Sequence, residues 1–299
     1  MSLLLSTCLL VLPGWCIPCE DAHVEKVDTW AANIRLTLQY FPPSNLSKDL
    51  RRALLHDKHP DAFPEVSIEN CDDDGSINNV MLLTQGIPRC PRYKELARRL
   101  LLWSECGRHP FGQPDLFAPA EILGFEEAPV NIPPPPTNRR EIRKWLGDAG
   151  EDGILRLLGM RKTVGTDPRP LLPPSRKELL EAAAELHNPN STLTVGSRAR
   201  SKHAHRGKEG YFGTMRGSPD AQNKITIDVL NRLFDQAAWI NIHTFGGREP
   251  LEPVIEIRVV EGYGARWTAD WSTSLPNNLR FRGFLEPQMR DGHEKRWRH

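Results

Sequence analysis

Three histidines and four arginines near the C-terminal end are the residues best suited by type to chemistry. His203 and His205 sit inside a basic segment, Ser197 to Gly217, that carries Arg198, Arg200, Lys202, Arg206, Lys208 and Arg216 against one acid, Glu209. His293 lies in Gly292-His293-Glu294, shortly before the terminal Trp297-Arg298-His299. Imidazole changes charge near neutral pH, so these histidines are candidate acid/base groups. Arg258, Arg266, Arg280 and Arg282 occupy alternate positions in strand-like runs. Guanidinium groups offer rigid two-pronged donors, so their convergence on one face suits a phosphate or a carboxylate. The bland alternative is a solvated sheet face on which Glu256 and Asp270 pair with Arg258 and Arg266. The basic segment also interleaves Tyr211 and Phe212 and carries Gly207, Gly210, Gly213 and Gly217. Cationic side chains for a backbone and rings for bases are the combination that nucleic acids require.

Other chemistries fail on spacing. His203-x-His205 would place two imidazoles on one face of a strand, and His293, Glu294 and His299 would complete a zinc ligand set. The second histidine of the terminal group, however, comes six positions after the first instead of four, so the helical zinc-protease pattern is absent and no metal is assigned. Asn70, Asp72, Asp74 and Gly75 echo a calcium loop, but Met81 stands where that loop needs glutamate. No Walker, Rossmann, Gly-x-Ser-x-Gly or kinase pattern occurs, so the cofactor is left unknown.

Trp15-Cys16-Ile17-Pro18-Cys19 resembles the active site of the thioredoxin family, W-C-x-P-C. The resemblance spans about 30 residues and implies a thiol oxidoreductase in which Cys16 attacks and Cys19 resolves. Glu20 and Asp21 depart from the pattern, because they raise the pKa of a neighbouring thiol instead of lowering it. The chain also leaves little room for a strand before the motif.

These residues need elements to hold them, and the C-terminal run is the most legible. Ser218 as N-cap, Pro219 at the first helical position and Asp220 behind it open a helix. Its apolar stripe is Ile225, Val229, Leu233 and Ala237. Four alternating runs follow, around Ile240–Ile242, Ile255–Val259, Ala265–Trp271 and Leu279–Leu285. Side chains switch face at every residue of a strand, so each run has an apolar and a polar face. The expected fold is α+β: a C-terminal antiparallel sheet with one main helix on its apolar face, after an N-terminal mixed α/β region joined by proline-rich linkers. The polar face should gather His243, Glu256, Arg258, Arg266, Asp270, Arg280 and Arg282, with Gly283 and Leu285 on the apolar one.

Upstream, Val24, Val27, Ala31, Ile34 and Leu38 recur at helical spacing, and helices are expected at Leu46–Leu55 and Tyr93–Trp103. A hairpin is expected around Asp72-Asp73-Asp74-Gly75. Pro133–Pro136 and Asp167-Pro168-Arg169-Pro170 with Pro173-Pro174 break the chain twice, with two short helices between them. Ser175 followed by Glu178 is a capping-box signature. The expected divisions are an apolar leader at 1–19, a mixed α and β region at 20–130, a proline-rich linker at 131–189 and an α+β domain at 190–299.

Composition bounds what this arrangement serves. The chain of 299 residues is 39% hydrophobic and 26% charged, as in an ordinary globular protein. Its formal net charge of +1 conceals an asymmetry: residues 190–299 hold 17 Lys and Arg against 12 Asp and Glu. All six cysteines lie at or before Cys106, which argues against a disulfide-stapled architecture. Leu3–Leu12 is too short to span a bilayer, so no transmembrane segment is expected. The expected location is cytoplasmic or nuclear, or secreted should residues 1–16 be a signal peptide. The leading reading is recognition of a phosphate-bearing ligand, either RNA or a phosphate-bearing small molecule, with catalysis by the histidines if the protein is an enzyme. Its rival is a non-catalytic scaffold that binds a protein partner through its tryptophans.

Overall fold

In the computed structural model the residues described are 20–63, 85–106, 130–163, 165–204, 210–244, 252–273 and 275–287. The Trp15–Cys19 motif, the expected hairpin around Gly75, His205 and His293 lie outside them.

Helix α1 (Glu20–Tyr40) buries Val27, Ala31, Ile34 and Leu38, four of the five positions its spacing picks out, while Val24 near its start is 47% exposed. It packs on α3 (Arg92–Cys106), with α2 (Lys48–Leu55) beside both. Ser47 caps α2 by accepting from the Leu50 N–H at 3.1 Å. Charge is built into this core. Glu95, 1% exposed, accepts from Arg98 and, at 2.6 Å, from the fully buried Arg99. Burial alone would raise the Glu95 carboxyl, but the two guanidinium groups outweigh it and hold it at about 2. Arg99 also donates to the carbonyls of Leu157 and Gly86, and Arg92 to those of Pro88, Pro173 and Pro174. Helix α3 thereby fixes the proline-rich stretch by supplying buried donors to its carbonyls.

The two short helices expected in the linker are both present, joined as α4 (Ile142–Leu157) across a kink at Gly150 with φ 61° and ψ −170°. Only glycine adopts that conformation at low cost, so Gly150 allows the second half to turn and bury Ile154, Leu155 and Leu157. The next residues run along the outer edge of the sheet. Arg161 N–H donates to Ile240 O at 2.7 Å, Asp167 N–H to Ile242 O at 2.9 Å, and Thr244 N–H to Gly165 O at 3.1 Å. Helix α5 (Arg176–Ala184) follows, with the full capping box of Ser175 and Glu178.

Helices α6 (Val195–His203) and α7 (Pro219–Asp235) precede the sheet. Ser218 caps α7, with Pro219 in its first turn, as the sequence predicts. Strands β1 (Trp239–His243), β2 (Val254–Arg258), β3 (Gly264–Asp270) and β4 (Asn277–Leu285) form an antiparallel meander in the order β1-β2-β3-β4. The apolar rungs are Ile240 with Ile257, Ile242 with Ile255, Ile255 with Trp267, and Trp267 with Phe281. Trp267 is fully buried, lies 5.7 Å from Phe234 of α7, and donates its indole N–H to Leu179 O of α5 at 3.1 Å. So α5 shares with α7 the apolar face expected for one helix, and α6 runs against β4. The buried apolar core is continuous from Ala31 of α1 to Phe284 of β4. Among the described residues no helix is long and apolar enough to cross a membrane.

One register expectation fails. Arg266 pairs with Gly283, but Trp267 pairs with Phe281, so Arg282 is an extra residue in a β-bulge. Gly283 has φ 143°, which a side chain would oppose. Past the bulge it is Phe284, opposite Ala265, that enters the core, and Gly283 does not share the face of Phe281.

Candidate functional site

The polar face of the sheet is buried around Glu256, Arg258 and His243 and solvated towards Asp270, Arg280 and Arg282. At its centre Glu256, 1% exposed, receives Arg258 Nε on one carboxylate oxygen and Arg266 Nε on the other, with His243 Nε2 at 3.5 Å. Register explains the gathering: Arg266 is the direct cross-strand partner of Glu256, and His243 pairs with Val254, two residues along β2. Burial would raise the Glu256 carboxyl, yet the two arginines hold it below its ordinary range. Burial dominates at His243, lowering it to about 4 despite the carboxylate beside it, so the ring is neutral at pH 7. Arg258 is 1% exposed, and its Nη1 donates to the carbonyls of Gly262 and Glu286. That arginine braces backbone, so it does not reach an external anion. Gly264, its rung partner, has no room for a side chain: a Cβ there would stand 2.8 Å from Arg258 Cγ.

Arg266 points the other way. Only partly buried, it lines a cleft of about 380 Å³ together with Lys202, His203, Arg282 and Gly283. Two of the four candidate arginines and one of the three candidate histidines therefore meet. Arg280 is exposed and paired with Glu252 elsewhere on β4.

His203 reaches the cleft from the last turn of α6; it does not lie on a strand as the His-x-His spacing suggested. Thr194 caps that helix by accepting from Ser197 N–H. Gly196 permits the close crossing with α5, where a Cβ would come within 2.8 Å of Ala183 O. Fully buried Arg200 then locks the helix, donating to Thr226 Oγ1 and to the carbonyls of Phe212 and Thr214. One cation of the basic segment thus serves structure. Behind His203 stands an aromatic wall: Phe212 at 5.6 Å, itself in contact with Phe284 and Tyr263.

The decisive contact is His203 Nδ1 to Glu286 Oε1 at 2.9 Å, with both side chains at most 10% exposed. A carboxylate at Nδ1 places the proton of the neutral ring on that nitrogen and leaves Nε2 as the basic atom. Sequence reasoning assigned Glu286 no role. The two residues are 83 positions apart and only folding brings them together. The same Glu286 offers its backbone carbonyl to Arg258 at 3.1 Å, so the carboxylate that holds His203 is anchored by the buried cluster around Glu256. Among the described residues no group of three or more His, Cys, Asp and Glu side chains is placed to hold a metal ion.

Fold and site together define an α+β module, helices on one face of an antiparallel meander, with a basic cleft containing a histidine–glutamate pair. Residues 182–286 match the family model of the CdiA C-terminal tRNase toxin domain, about a third of the chain. The match begins in α5, takes in α6, α7 and all four strands, and ends on Glu286. No curated protein and no solved structure matches the chain.

Proposed function

We propose that residues 182–286 form a ribonuclease module that cleaves tRNA at a phosphodiester held in the His203 cleft. The observation that carries this reading is the buried His203–Glu286 pair beside Lys202, Arg266 and Arg282, inside the segment similar to a tRNase toxin domain. Lys202 and the two arginines neutralise the scissile phosphate and stabilise the charge that builds on it during attack. The ribose 2′-oxygen attacks phosphorus and its proton passes to Nε2 of His203, while Glu286 stabilises the resulting imidazolium. The P–O5′ bond breaks, and the leaving oxygen takes its proton from water in the open cleft. Arg258 and Glu256 act at one remove, by fixing the backbone of Glu286 and the guanidinium of Arg266.

The test is cleavage of end-labelled tRNA by the full chain and by His203→Ala. General acid–base groups typically supply about 10²–10⁴-fold, so the variant should lose at least about 100-fold in rate while Lys224→Ala, on the exposed face of α7, keeps it. Undiminished cleavage by a folded His203→Ala protein overturns the proposal.

A further inference from the structure

A second cleft, of about 490 Å³, opens further along the same two strands. Its lining includes Arg169, Glu252, Asp270, Trp271, Asn278 and Arg280. The rung of Arg266 and Gly283 borders the first cleft, and the rung of Thr268 and Arg280 leads to the second. Two residues of strand separate these rungs, about 7 Å, which is within the reach of one nucleotide. A strand whose scissile phosphate lies beside Arg266 in the first cleft then has its neighbouring nucleotide within reach of the second.

The polar groups there divide into those already committed and those still available. Arg169 is held by Asp167 and donates Nη1 to Trp271 O at 2.9 Å, so it is a fixed wall. Asp270 accepts from Ser272 N–H. Glu252 and Arg280 face solvent, 45% and 57% exposed, and touch only through Arg280 Nη2 on the two carboxylate oxygens at 2.5 and 2.6 Å. An exposed pair of this kind is easily remodelled. A carboxylate has about four acceptor sites and a guanidinium five N–H groups, so both keep capacity for a ligand while paired.

Side by side, Arg280 and Glu252 present a donor and then a two-pronged acceptor. The Watson–Crick edge of guanine carries the complement in order: the O6 acceptor, then N1–H and the N2 amino group. Adenine and cytosine place a ring acceptor next to their amino group, and uracil sets its single N–H between two carbonyls. None of these three offers two adjacent donors to one carboxylate. Resting on the ribonuclease reading for the neighbouring phosphate, we infer that the second cleft is a guanine-recognising subsite in which Glu252 and Arg280 read the base.

Two measurements on the full chain test this. Cleavage of short oligoribonucleotides differing only at the base next to the scissile bond should favour guanine by roughly tenfold or more, the discrimination one good bidentate contact gives. Calorimetric titration should show GMP binding correspondingly tighter than UMP. Glu252→Ala, on an exposed side chain, should level both preferences, and so should Arg280→Ala, while Lys224→Ala, outside both clefts, should keep them. Equal cleavage beside all four bases, or a guanine preference that survives both substitutions, overturns the inference. If the chain cleaves no RNA, the ribonuclease reading fails and the titration decides the subsite alone: equal GMP and UMP affinities reject it.

Discussion

Replacing Glu286 by glutamine isolates what the carboxylate contributes. The amide would keep an acceptor oxygen near His203 Nδ1, so the tautomer and ring orientation survive while the negative charge is lost. In the native chain the contact is 2.9 Å long, with His203 10% and Glu286 7% exposed at the side chain. Screening by water and salt is weak at such burial. A hydrogen bond to a charged group in that setting is worth about 1.5–3 kcal/mol. If the imidazolium forms only as the 2′-proton is removed, that energy is lost from the transition state and not from substrate binding. At about 1.4 kcal/mol per factor of ten, kcat should fall by roughly 10- to 100-fold with KM nearly constant. The backbone carbonyl of residue 286 is unaffected, so the bond from Arg258 remains and the fold should unfold at an unchanged urea midpoint. Single-turnover cleavage of labelled tRNA on denaturing gels reads the rate. In the His203→Ala background the Glu286→Gln change should cost nothing further, because the carboxylate acts through the imidazole. A rate within twofold of the native chain, or a defect confined to KM, would refute the role given to this pair.

Three further outcomes follow from the geometry. Arg282→Ala removes one exposed cation from the cleft, so the slope of log K against log salt for tRNA binding should become shallower by about 1; an unchanged slope places Arg282 off the RNA path. His243 is held at about 4 against an ordinary 6.5, so the folded state refuses a proton that the unfolded chain accepts. Its contribution is complete above pH 6.5, declines as pH falls towards 4 and is gone below, about 3 kcal/mol in all. Urea unfolding between pH 7 and 4 should show this decline in the native chain and a flatter one in His243→Asn; parallel curves would remove the assignment. Gly264→Ala would set a Cβ 2.2 Å from Ile257 O, so β2 and β3 must separate locally. The expected loss is about 2 kcal/mol or more in chemical denaturation, and a change under about 0.5 kcal/mol would contradict the packing described.

Local signals were legible where they act within a few residues. The capping box at Ser175, the Ser218-Pro219 start of α7 and the alternation in β1 to β4 each describe contacts between near neighbours, and the structure has all of them. The bulge at Arg282 escaped because an isolated glycine is its only mark, and Gly283 reads equally well as a weak strand position. Burial of Glu256, Arg258 and His243 on the polar face escaped for a different reason. Residues 160–163 and 165–167, which run along the β1 edge, precede β1 by more than seventy positions and carry no pattern complementary to it. The site followed the same division. Its arginines and His203 could be chosen by residue type, but Glu286 could not, since nothing in a sequence ties it to a histidine on another element.

The excess of arginine over lysine in residues 190–299, 13 against 4, was the strongest compositional hint of anion recognition. The structure gives that excess two distinct uses. Arg200 and Arg258 are buried and direct their donors to carbonyls, a task suited to a planar group with several N–H bonds and poorly to an ammonium. Arg266 and Arg282 face the cleft. The two sets are connected through charge. Glu256 balances one of the two arginines bound to it, and His243, neutral near pH 7, adds nothing. The cluster is therefore left with one net positive charge, on the side where Arg266 meets the cleft. With Lys202 and Arg282 there are, among the described residues, four cations around the site against the carboxylates of Glu256 and Glu286. Under the ribonuclease reading, that imbalance draws a polyanion towards the cleft before any specific contact forms. Protonating His243 would enlarge the charge but would place it beside the buried guanidinium of Arg258 and the partly buried one of Arg266.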